Sequence, residues 1–128
     1  MRTLILAGAM AIASAGLALG QDAASGQRVF MRWCLPCHDA GEGAKIKLGP
    51  PLNGLDGRKA GTWEGYSYSD ATVGSGITWG EAVFKEYVES PIKKVPETRM
   101  AFAGLREAKD RNDLWAYLSK LDRDGKNK

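Results

Sequence analysis

The chain has 128 residues, 18 lysines and arginines against 15 aspartates and glutamates, one histidine, and a formal net charge of +3. That length suits a single domain, and so mild a charge with no basic run gives no footing for nucleic acid. Two cysteines and one histidine are too few of the usual ligands for a zinc site.

Met1-Arg2-Thr3 is a short positive start, and Leu4 to Gly20 is an uncharged apolar run of 17 residues. Ala18 and Gly20 are small residues at positions −3 and −1 of a cut before Gln21. That is the layout of a secretory signal peptide. The alternative is a retained membrane anchor, for which the run is at the lower limit of length. The expected division is a leader over 1–20, removed, and one domain over 21–128. Export puts both cysteines in an oxidising compartment, where they form a disulfide or are covalently used.

Three stretches read as helices. "SGQRVFMRWC" opens with Ser25 as N-cap, and Val29, Phe30 and Trp33 make one apolar face. "TWGEAVFKEYVES" opens with a Thr78–Glu81 capping box, carries Val83, Phe84, Tyr87 and Val88, and ends at Pro91. "DRNDLWAYLSKL" places Leu114, Tyr117, Leu118 and Leu121 at helical spacing. The remaining "DRDGKNK" reads as a frayed polar tail. Between the first two helices, Asp39 to Ile77 is Gly-rich and has little periodicity. A loop that long in a small domain needs something to wrap. No alternation supports a sheet.

All the soft ligands of the mature chain apart from methionine fall in "WCLPCHDA", Trp33 to Ala40. C-x-x-C-H is the attachment motif of a c-type haem. Two thiols on one turn form thioethers to the vinyl groups, and the next residue supplies an axial nitrogen. Cys34 and Cys37 are thus the expected covalent anchors and His38 the iron ligand. The competing reading, a thioredoxin-type redox pair, wants a βαβ context, and no strand precedes Cys34. For the sixth position there is no second histidine. Met1 and Met10 leave with the leader, and Met31 is one turn before Cys34 on the same helix. Met100 remains, and a Met/His pair raises the reduction potential. Ordinary core packing is the other role open to it. With both faces ligated the iron moves electrons. With Met100 unbound, a haem peroxidase or ligand-binding haem protein is the alternative.

In order and spacing, "WCLPCH", "KLGPPLNGLDGRKAG", "GYSYSDA", "GITWGEAVFKEYVESP", "VPETRMAFAGL" and "DRNDLWAYL" resemble the class I c-type cytochromes. The likeness is to the mitochondrial proteins and their short soluble bacterial periplasmic counterparts, and it spans Gly26 to Lys120. It implies an all-α cytochrome c fold, with three main helices, short helical turns and long loops around one covalent haem c and its iron. It implies a monomeric periplasmic electron carrier, not an enzyme, without stable membrane insertion once the leader is gone. Its donor and acceptor would be membrane-bound or periplasmic redox proteins.

The resemblance also assigns roles. The Pro50 carbonyl would meet the other ring nitrogen of His38. Arg58, Tyr68 and Trp79 would bond the haem propionates. Tyr87 and Thr98 would lie near the methionine sulfur and an inner propionate, and Phe102 beside the exposed haem edge. Gly26, Phe30, Leu114 and Tyr117 would form the crossing of the first and last helices. Lys45, Lys47, Lys93 and Arg99 would face partners. Trp33, Ile92 and Arg99 stand where the mitochondrial proteins have docking lysines. Glu97 stands where glycine is usual, after Pro96. There it either changes the turn or weakens the ligand loop, letting Lys93 or Lys94 replace Met100 at high pH.

Overall fold

Residues 21–128 are described by a computed structural model, and the leader read over 1–20 lies outside the described residues. Helix α1 spans Ala23–Val29. Its cap is Asp22, not Ser25: the Asp22 carboxylate accepts from the Ala24 N–H at 2.9 Å, and the Ser25 hydroxyl donates to the same carboxylate at 2.7 Å. A carboxylate ahead of the helix meets the free N–H groups and the positive end of the dipole together. The helix then widens into a π-helical turn over Phe30–Cys34, where the Leu35 N–H donates to the Phe30 carbonyl at 2.9 Å. The single extra residue re-aims the chain just before the Cys-x-x-Cys-His segment.

The expected loop over 39–77 holds more order than its periodicity indicates. Ser69 accepts from the Thr72 N–H at 3.1 Å and caps a short helix α2, Asp70–Val73. A Lys59–Thr78 bridge fastens the loop to the approach of the next helix. Beside it, the Trp79 N–H donates to the Arg58 carbonyl at 2.8 Å. Buried Asn53 spans the loop, accepting from the Gly41 N–H and donating to the Gly41 carbonyl.

Helix α3 is Glu81–Glu89, capped by Gly80 without a side-chain bond. The Thr78–Glu81 capping box therefore does not form, because the cap is Gly80 and Thr78 lies two residues ahead of it, in the bridge with Lys59. Pro91 separates α3 from a one-turn helix α4, Pro91–Lys94, which it opens at a position where its missing N–H costs nothing. Helix α5 is Ala108–Ser119, two residues earlier than the apolar spacing indicates.

Helices α1 and α5 pack across Gly26. A Cβ added there would overlap the Asp113 carbonyl and come 2.9 Å from Tyr117 Cβ. The Phe30 and Tyr117 rings meet at 5.8 Å, and buried Leu114, Trp115 and Leu118 continue the core toward Phe84 and Val88 of α3. Asp113, 2 % exposed, accepts from the Asp22 N–H at 3.0 Å and pairs with Lys109.

The tail is not frayed. Leu121 bridges to Asn127, the Asp122 N–H donates to the Lys126 carbonyl at 2.8 Å, and Gly125 lies against the Gly41–Glu42 backbone. Glycine and a turn-forming aspartate give these polar residues backbone partners that side-chain hydropathy does not register. Among the described residues the only β-pairing is these two isolated bridges, so the domain is all-α. No helix among them is long and apolar enough to cross a membrane.

Candidate functional site

The helices and the wrapped loop enclose a largely apolar cavity of about 380 Å³. Cys34, Cys37 and His38 line it from the end of the π-helical turn, and Met100, Thr98 and Phe102 from the segment after α4. Pro50, Arg58, Tyr68, Trp79 and Tyr87 line it too, so every residue singled out for the site faces one space.

His38 Nδ1 lies 2.7 Å from the Pro50 carbonyl. A carbonyl only accepts, so Nδ1 carries the proton and the Nε2 lone pair is left for a metal. Burial lowers the pKa of His38, which favours that neutral, ligating form. Gly49 packs on the imidazole so closely that an added Cβ would stand 2.6 Å from Nδ1. Periodicity does not mark Gly49, and its place between a leucine and Pro50-Pro51 is the only cue.

Cys34 is half-buried and Cys37 exposed, and no disulfide joins them. Burial, with a smaller contribution from Cys37, pushes the Cys34 thiol up to about 12. No strand precedes the pair in the fold, so the βαβ context of a redox disulfide is missing among the described residues. Among the described residues no three His, Cys, Asp or Glu side chains gather as a metal cluster.

Tyr87 donates to the Met100 sulfur at 3.2 Å, and its oxygen stands 3.5 Å from Thr98 Oγ1. Burial raises the Tyr87 pKa, so the hydroxyl keeps the proton that it donates. Trp79 packs edge-on against Tyr87, centroids 5.0 Å apart. Tyr68 accepts from the Trp63 N–H at 3.0 Å. Arg58 donates to the Pro51 and Asn53 carbonyls, each at 2.9 Å, yet forms no ion pair among the described residues.

A half-buried guanidinium beside an apolar cavity suits an anion, and burial is the largest cause lowering its pKa. A flat apolar group bearing carboxylates, with thioether attachment and one nitrogen ligand, meets every one of these features. A haem fits the residues present.

The sequence model of the family described as cytochrome c matches residues 23–122. The chain belongs to the cytochrome c family. It is 57 % identical over 104 residues to cytochrome c-550 of Bradyrhizobium diazoefficiens, covering 81 % of this chain and 76 % of that protein. It is 50 % identical to cytochrome c2 of Blastochloris viridis over the whole of both chains. Cytochrome c of Gibberella zeae is 50 % identical over 99 residues, 77 % of this chain and 93 % of that one. Membership establishes a covalent haem c with its iron and an electron-transfer protein, not an enzyme, working between redox partners.

Proposed function

We propose that the chain is a soluble periplasmic one-electron carrier whose iron is held by His38 and Met100, with Cys34 and Cys37 as the thioether anchors. Bound haem supplies a reversible ferric–ferrous couple. The protein's part is to keep the coordination the same in both states. The observation that carries this is the Tyr87 hydroxyl on the Met100 sulfur, in the cavity that His38 enters with its Nδ1 already bonded. Both ligands are oriented by bonds that do not depend on the metal. Arg58, Tyr68 and Trp79 would serve the haem carboxylates, and Phe102, half-buried, the rim.

Residues 1–20 would be cut away on export, leaving 21–128 as a single domain and a monomer. Exposed Lys45, Lys47, Lys93 and Arg99 would meet the donor and acceptor.

The absorption spectrum of purified holoprotein tests the ligand set. A weak long-wavelength ferric band of sulfur ligation is expected, lost in Met100→Ala while haem stays bound. A wild-type spectrum without that band would leave an open iron position and favour peroxidase or ligand-binding chemistry.

A further inference from the structure

Arg58 does not stand alone at the cavity wall. Its guanidinium carbon lies 5.1 Å from the centroid of the half-buried Trp63 ring. Arg123, from the C-terminal tail, stacks on the same ring at 4.7 Å. Two cations on one indole lie within about 10 Å of each other, the Debye length at 0.1 M salt. Neither forms an ion pair among the described residues. After burial, repulsion from Arg123 is a further cause lowering the Arg58 pKa.

The arrangement is built, not incidental to a loose end. Gly54 has a left-handed φ of 59°, and a Cβ there would come 3.1 Å from both Cα and N of Arg123. The tail is thereby seated on the loop whose Pro51 and Asn53 carbonyls receive Arg58. Asp122 closes the turn around Arg123, accepting from the Asp124 N–H at 2.9 Å and the Lys126 N–H at 3.0 Å. The exposed Arg123 side chain thus starts from a fixed backbone and lies over Trp63. Indole faces attract cations, so Trp63 holds together two charges that would otherwise separate.

Positive charge beside a redox centre favours its electron-rich state. We propose that Arg123 is a positioning residue that, through Trp63, holds Arg58 toward the haem carboxylates and raises the reduction potential. This rests on the reading of Arg58 as the partner of those carboxylates.

Redox titration of the holoprotein at low and high salt tests it, with Arg123→Gln, Arg123→Lys and Arg58→Gln beside the wild type. Arg123→Gln is expected to shift the potential downward, with the gap to wild type narrowing as salt rises. Arg123→Lys keeps the charge without the flat stack and should recover only part of that shift. An Arg123→Gln potential equal to wild type at low salt overturns the proposal. Full recovery by lysine overturns the role of the stack. If Arg58→Gln also leaves the potential unchanged, the reading of Arg58 falls with it; if Arg58→Gln shifts the potential and Arg123→Gln does not, only the proposal falls.

Discussion

Glu97 has φ 67°, the one non-glycine among the described residues in the left-handed region. The turn keeps the shape that glycine favours, and the glutamate carries the strain. Replacing it with glycine should stabilise the holoprotein by about 1 kcal/mol, read as a raised denaturant midpoint. The same change should move any alkaline loss of the sulfur band to higher pH, since the strained turn lies three residues before Met100. Gly49 makes the opposite case. Gly49→Ala would drive a methyl into the His38 ring and is expected to alter the ferric spectrum or block haem retention, checked by spectrum and haem content. The proposed anchors Cys34 and Cys37, and His38, are legible as cavity residues because their chemistry is local: five consecutive residues hold the motif. Met100 was reachable by elimination among four methionines. Gly49, Trp63 and Arg123 were not legible, since each acts through a neighbour distant in sequence.

At the scale of elements, apolar spacing located α1, α3 and α5 because each buries one stripe against the others. The caps differ from those the pattern indicates, because each helix starts at a different residue. Ser25 bonds Asp22 instead of capping, and α3 starts after Gly80, too late for Thr78 to cap it. Side-chain pattern does not fix which residue in the first turn becomes the cap. The order of the tail leaves no mark in side-chain pattern, because it is held mainly by backbone groups. The crossing of α1 and α5 is where one methyl should cost most. Gly26→Ala overlaps backbone, which cannot yield as a side chain does. It should lower stability by on the order of 3 kcal/mol, the upper range for overpacking, measured by denaturant unfolding of the holoprotein. Asp113→Ala, which strips the Asp22 N–H of its buried acceptor, should cost roughly 1–3 kcal/mol and fray the start of α1.

For the molecule as a whole, burial raises the pKa of Tyr68, Tyr87 and Tyr117 above the ordinary 10.0. Below that value folded and unfolded chains both keep these protons. Above it the unfolded chain releases them first, so stability falls as pH rises. A declining denaturant midpoint above about pH 10 is expected, with a shallower decline in Tyr117→Phe. Partner docking should depend weakly on salt. Ile92, outside the cavity, is 68 % exposed, so apolar contact shares the work with charge. A steep fall in transfer rate with ionic strength would refute that. The packing of α1 on α5 also imposes a timetable. The residues proposed to attach haem are synthesised near the start, and the helix that closes over Gly26 near the end. Contacts so far apart in sequence form late, so a nascent chain presents its Cys-x-x-Cys-His segment in the open for most of its synthesis. The attachment proposed for Cys34 and Cys37 is therefore easiest in a chain whose α5 has not yet closed the domain.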